Sequence, residues 1–141
     1  MTPSQVTLVQ QSFAKIAPIA DQAAAMFYDR LFEVAPRVKA MFPADMTEQR
    51  RKLMATLAVV VNGLSNLESI LPAASGLAVR HVAYGAKAEH YPVVGSALLW
   101  TLEQGLAEGW TPEVADAWAA AYRTLSGFMI EQASGRPQAA E

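Results

Sequence analysis

The chain has 141 residues, no cysteine, a net charge of −2 and a composition that is 52% hydrophobic and 17% charged. That length suits one ordinary domain able to bury about two-thirds of its unfolded surface. Lack of cysteine excludes disulfides, thiolate metal sites and cysteine nucleophiles, and lack of any basic stripe argues against nucleic acid as a partner.

So large an apolar share beside so few charges predicts either a large core or an enclosed apolar guest. The N-terminus, Met1-Thr2-Pro3-Ser4-Gln5, has no basic segment leading into an apolar one, so no secretory leader is expected and a cytoplasmic location fits. The longest apolar runs, such as Leu57 to Val61, are far too short to span a bilayer, so no membrane association is expected.

Helical periodicity runs through almost the whole chain. A first helix is expected from about Ser4 to Ala17, with Thr2 as its cap and Pro3 at its first position, where a missing N–H costs nothing. Pro18 should stop it. A second helix, about Ile19 to Ala35, carries Ala24, Phe27, Tyr28, Leu31 and Phe32 on one inward stripe and ends before Pro36. A tight turn over Pro36 to Phe42 and a loop over Pro43 to Met46 lead to Thr47, read as the cap of a long helix to about Leu64. That helix aligns Gln49, Leu53, Leu57, Val60 and Leu64.

A connector over Asn66 to Ile70 precedes a helix from Pro72 to about Gly85, with Leu77, His81 and Tyr84 on its inner face. After a loop to His90, a helix runs from Pro92 to about Glu108. Thr111-Pro112 then caps a final helix to about Ala133, with Val114, Ala117, Trp118, Ala121, Tyr122, Leu125 and Met129 facing inward. Residues 134–141 read as a frayed tail. The expected architecture is all-α: six main helices and a short turn, no strands, in one domain over 1–141.

Few residues offer chemistry. There is no glycine-rich phosphate loop and no serine flanked as in a nucleophile elbow. Two histidines without cysteine make a poor zinc site. Asp45 and Glu48 lie at a helix start, where acids suit the helix dipole, and Arg50-Arg51-Lys52 reads as a solvated face. His81 sits on an apolar face, where a histidine is either a satisfied core residue or a ligand. His90 lies in a polar loop. Tyr28 and Gln49 occupy stripes that otherwise point inward. Each needs a hydrogen-bond partner if buried, and each could find one in a backbone carbonyl or a helix cap.

Four motifs together resemble the globin family, most closely the bacterial single-domain haemoglobins and the haem domain of flavohaemoglobins. Met26-Phe27-Tyr28-Asp29-Arg30-Leu31-Phe32 followed by Pro36 resembles the family's second helix and its turn. Met41-Phe42 resembles the phenylalanine that packs on haem, and Gln49-Arg50-Arg51-Lys52-Leu53 the distal glutamine and leucine. Arg80-His81 with His90-Tyr91-Pro92-Val93-Val94-Gly95 resembles the proximal histidine and the start of the next helix. The match extends from Ser4 to about Met129. Its specificity lies in the joint spacing.

The resemblance implies a globin fold around a haem pocket, with haem b as cofactor and His81 as the axial ligand of its iron. It places Tyr28, Gln49 and Leu53 on the opposite, ligand-binding side, and Phe42, Tyr91 and Val94 against the cofactor. The sixth position is expected to be open or held by water. In the flavohaemoglobins a tyrosine and a glutamate assist the histidine. Tyr91 matches the tyrosine. The glutamate should stand eleven residues after Tyr122, where this chain has Ala133; Glu131, two residues earlier, faces another way round a helix.

The function implied is reversible binding of dioxygen, with nitric oxide and carbon monoxide as further diatomic ligands. The alternative is a nitric oxide dioxygenase served by a separate reductase, since no flavin or nicotinamide domain is expected in this sequence. The missing glutamate favours binding over catalysis, so no residue is singled out as catalytic. Either a monomer or a homodimer fits the pattern.

Overall fold

A computed structural model of the chain describes residues 1–83 and 90–133. Six α-helices are present: α1 (Pro3–Ile16), α2 (Ala20–Val34), α3 (Thr47–Asn62), α4 (Leu67–Ala83), α5 (His90–Leu106) and α6 (Pro112–Ala133). Short 3₁₀ turns cover Ala17–Ile19, Pro36–Met41 and Ala107–Gly109, and there is no strand among the described residues. The all-helical architecture expected from periodicity is the one observed. The expected helix end at Gly85, the loop that follows, Tyr84 and the tail all lie outside the described residues.

Local chemistry explains most boundaries. Thr2 Oγ1 accepts the Gln5 N–H at 3.1 Å while Gln5 Oε1 accepts the Thr2 N–H at 3.0 Å, a reciprocal capping box at the start of α1. Thr111 Oγ1 caps α6 by accepting the Val114 N–H at 3.2 Å.

Thr47 does not play that part. It is the first residue of α3, and its own N–H is received by the Asp45 carboxylate at 3.0 Å. An acceptor two residues upstream, charged and matched to the positive end of the helix, replaces the expected hydroxyl. Pro18 marks the end of the first helix as expected: α1 stops at Ile16, and the proline lies in the 3₁₀ turn Ala17–Ile19 that leads directly into α2.

Pro72, by contrast, fails to mark a helix start. It lies inside α4, which begins five residues earlier, at Leu67. The turn ahead of it is held by Asn66, whose carbonyl accepts the Ser69 N–H at 3.0 Å and the Ser69 hydroxyl at 2.7 Å, and by Ile70, which is buried. Tertiary burial here outweighs the local preference of proline for a first turn. Pro92 is the third residue of α5, still within the turn whose N–H groups need no intrahelical partner.

α1 packs on α6, α2 on α5, and α2 also carries α3. The core between them includes Val9, Ile16, Leu31 and Val61, all essentially without exposure. Trp118 of α6 crosses this core and donates its indole N–H to Ser12 Oγ of α1 at 2.8 Å.

α4 stands apart, packing on α6. Its buried Ala78 joins Tyr91 and Met129 in a second, smaller cluster with Leu77, Leu125 and Ile130. The molecule thus has a main core, which Ile70 near the start of α4 joins, and a satellite core under the later part of α4. Along α3, Leu53, Met54, Leu57 and Ala58 are half-buried, whereas Ala24, Phe27, Tyr28 and Leu31 on the α2 stripe are buried.

Candidate functional site

The singled-out residues gather into two groups. The first is built on α2, the turn after it, and the start of α3. Tyr28 is buried on the α2 stripe, and Gln49 reaches it from the first turn of α3, donating its Nε2–H to Tyr28 Oη at 3.0 Å. A phenol oxygen that accepts still has its own O–H to donate. Burial pushes the Tyr28 hydroxyl above the ordinary tyrosine value, with the Gln49 bond working against that shift, so the proton stays on oxygen at neutral pH. The two polar residues on inward stripes are each other's partner.

The Tyr28 ring is fixed by its neighbours. It meets Phe27 edge-on at 4.8 Å between centroids, Phe42 edge-on at 5.5 Å and Phe32 at 6.0 Å, and Phe32 meets Phe42 at 5.4 Å. Three rings, Tyr28, Phe32 and Phe42, therefore form a closed triangle. Phe42 comes into it because the 3₁₀ turn Pro36–Met41 brings the chain back under α2. Phe42, Leu53 and Val94 are all half-buried and packed against the main core.

The second group is built on α4 and α5. His81, half-buried, lies within 2.7 Å of the Leu77 carbonyl through Nδ1. A carbonyl can only accept, so Nδ1 carries the hydrogen and Nε2 of the neutral ring carries the lone pair. Tyr91 stacks on the His81 ring at 6.3 Å and 25°. His90 is half-buried in the first turn of α5, and Glu131 is exposed on α6. Among the described residues no three of His, Asp or Glu gather into a metal-holding group. No helix there is long and apolar enough to cross a membrane.

Three participants were missed in the sequence. Phe32 was read only as core filling. The Leu77 carbonyl could have been anticipated from the four-residue spacing to His81. Tyr122 gave the same signal as Tyr28, a phenol on an inward stripe. Its hydroxyl donates to the Tyr91 carbonyl at 2.7 Å.

The Globin family pattern matches residues 25–129, a span that contains both groups. The chain is a globin. A flavohemoprotein of Rhodopirellula baltica is 30% identical over 133 residues, covering 92% of this globin but 33% of the relative, and one of Bordetella parapertussis is 29% identical over the same span and shares. This globin thus spans about a third of the length of these curated relatives. A bacterial globin from Campylobacter jejuni superposes with a TM-score of 0.84 at 26% identity, covering 94% of this globin and 96% of that chain. An engineered carbene transferase from Rhodothermus marinus has a TM-score of 0.87 at 22% identity, over 95% and 94% of the two chains, and shares the fold.

The residues fit the cofactor expected of a globin. His81 offers one imidazole nitrogen donor, with its ring set by a carbonyl and a stacked phenol. The polar pair Tyr28–Gln49 belongs to a different wall, and half-buried apolar residues of α3 lie next to it. A planar, largely apolar cofactor needs that combination: one nitrogen ligand, greasy walls, and donors on a different side.

Proposed function

We propose that this globin binds haem non-covalently, as haem b, and reversibly holds dioxygen or another diatomic gas at its iron. Absence of cysteine removes the thioether attachment that a covalently bound haem uses. In this reading His81 would supply the nitrogen ligand of the iron, while Phe42, Leu53, Val94 and Tyr91 would line the cofactor. The observation that carries it is the Tyr28–Gln49 pair, a hydrogen-bonded phenol and amide buried on otherwise apolar helix faces. The haem, when bound, would supply an iron site able to take and polarise a diatomic gas.

The protein's part is to orient and to donate. Gln49 holds Tyr28 Oη by its amide N–H, and the phenol then presents its own O–H. Bonds to a charged acceptor are stronger than neutral ones, and each contributes about 1–3 kcal/mol, or roughly tenfold to a hundredfold in affinity. The ring triangle with Phe32 and Phe42 prevents Tyr28 from swinging away. On the other side, the Leu77 carbonyl accepts from His81 Nδ1 and so orients the ring with Nε2 as the nitrogen that would meet a metal. A carbonyl acceptor draws the Nδ1 proton less than a carboxylate would, which supports reversible binding over dioxygen activation.

Absorption spectra of ferric, ferrous and carbonyl forms test the reading. The native protein should show a full Soret band, and His81→Ala should lose most of its haem. A normal band and normal iron coordination in that variant would overturn the axial assignment. Tyr28→Phe should speed dioxygen release by at least about tenfold; an unchanged off-rate would make the hydroxyl structural.

A further inference from the structure

The charges of this globin are unevenly placed. Residues 37–52 hold five of its eleven Lys and Arg, namely Arg37, Lys39, Arg50, Arg51 and Lys52, but only two of its thirteen acids, Asp45 and Glu48, a net of +3. The rest of the chain, with six bases against eleven acids, carries −5. The segment runs from the turn after α2 into the first turns of α3, and its inner side converges on Tyr28: Phe42 meets the phenol ring at 5.5 Å and Gln49 bonds its hydroxyl. The cations lie on the outside. Arg37, Lys39, Arg51 and Lys52 are exposed, and Arg50 is half-buried.

The excess of positive charge holds at neutral pH, where both acids are ionised and engaged locally. Asp45 is held below the usual carboxylate range chiefly by the Thr47 N–H, and Glu48 by the Arg51 guanidinium, which it meets at 2.6 and 2.9 Å. Among the described residues, Arg37, Lys39 and Lys52 enter no ion pair. The exposed large apolar side chains there are Met1, Val34, Val59, Leu71 and Val79, none of them in this segment. A basic surface without apolar anchors does not sink into a bilayer and does not build a lasting protein interface. It suits a brief, salt-sensitive encounter of the kind that electron-transfer partners make.

We propose that this cationic corner is the docking surface for an acidic protein that donates one electron and so returns a ferric haem iron to the ferrous form. The donor's reduced cofactor loses the electron and the iron gains it; no bond forms or breaks between the two proteins. The acidic remainder of the surface steers such a donor towards the corner, because like charges repel it over a Debye length of roughly 8–10 Å. Corner and candidate site are the outer and inner sides of one segment, so a donor seated there lies against the wall that carries Phe42 and Gln49. The electron's destination rests on the haem reading; the docking surface does not.

The probe is flavodoxin, an acidic flavin protein that gives single electrons. Binding of its oxidised form, which has no electron to give, is measured by calorimetry at ionic strengths of about 20 and about 200 mM. Arg37→Glu with Lys39→Glu reverses two exposed charges in the corner. Lys15→Glu with Arg123→Glu, exposed on α1 and α6, is the control matched in charge. Reduction of the ferric protein by reduced flavodoxin is followed by stopped flow.

We expect binding at low salt that weakens at least about tenfold at high salt. The corner variant should bind about tenfold more weakly and be reduced more slowly by a similar factor, with its Soret band and helicity kept. The control should lose much less. No binding at low salt overturns the proposal, as does an equal loss in the control. Tighter binding to phosphatidylglycerol vesicles than to flavodoxin, lost in the corner variant, also overturns it by making the corner a membrane-facing surface. If the corner variant does not fold, Arg37→Gln with Lys39→Gln decides in its place. A native protein without a Soret band refutes the haem reading and with it the electron's destination, while calorimetry alone still decides the docking surface.

Discussion

The indole N–H of Trp118 has to be satisfied somewhere, because the residue is 3% exposed and lies on the inward stripe of α6. Ser12 Oγ accepts it at 2.8 Å and passes its own hydrogen to the Leu8 carbonyl at 2.7 Å. Ser12→Ala strands that donor in a dry core and should lower unfolding free energy by about 1–3 kcal/mol in chemical denaturation. Ser12→Ala combined with Trp118→Phe should be less than additive, since the second change removes the stranded group. A full additive loss would mean the bond contributes nothing. Tyr28 and Gln49 pose the same accounting question in the sequence and give a different kind of answer: two polar residues solve each other's burial while leaving one O–H to donate. Sequence could show that each needed a partner. It could not show that the partners were the same two residues, because 21 positions separate them.

Among the elements, the junction of α3 and α4 shows how tertiary contact redraws a boundary. Ile70 turns its side chain onto the backbone of Gly63, and a Cβ there would overlap Ile70 Cγ2 and stand 3.2 Å from the Val59 carbonyl. The stub of a β-branched side chain cannot swing aside. Gly63→Ala should therefore destabilise the protein by about 1–3 kcal/mol, in spite of alanine's better helix propensity. A stabilised variant would show that the junction relaxes freely. The same contact accounts for the early start of α4. With Ile70 buried, the turn ahead of Pro72 is worth keeping helical, and the proline is carried inside. The stripes of α2, α3 and α6, by contrast, were legible residue by residue, because a 3.6-residue period is a local property. What the stripe of α3 did not reveal was that Leu53 and Leu57 stay half-buried.

For the whole molecule, burial of phenols links stability to pH. Tyr28, Tyr91 and Tyr122 are all raised above the ordinary value of 10.0, each chiefly by burial. Below about pH 10 the phenols are protonated in both folded and unfolded chains, so they give no slope. Above it the unfolded chain loses protons that the folded chain still holds, and stability falls as pH rises toward the folded values. Unfolding free energy should thus be nearly flat in these groups from neutral pH to about pH 10 and then decline. Tyr122→Phe should make that decline shallower, measured by denaturation at matched ionic strength. An equal slope in the variant would mean the Tyr122 hydroxyl titrates normally. Ion pairs enter little: the two present among the described residues, Arg30–Glu33 and Arg51–Glu48, join neighbours on single helices at the surface.

Helical class, inward stripes, the caps at Thr2 and Thr111, and the family are legible along the chain, because periodicity, capping and motif spacing are local properties. Folding in three dimensions is what brings Gln49 to Tyr28, closes the triangle of rings at Phe32, sets the Leu77 carbonyl on His81 Nδ1 and lays Tyr122 against the first turn of α5. Each is a contact within a few ångströms, in most cases between separate segments, and its existence depends on how whole helices cross, a geometry that no local pattern encodes.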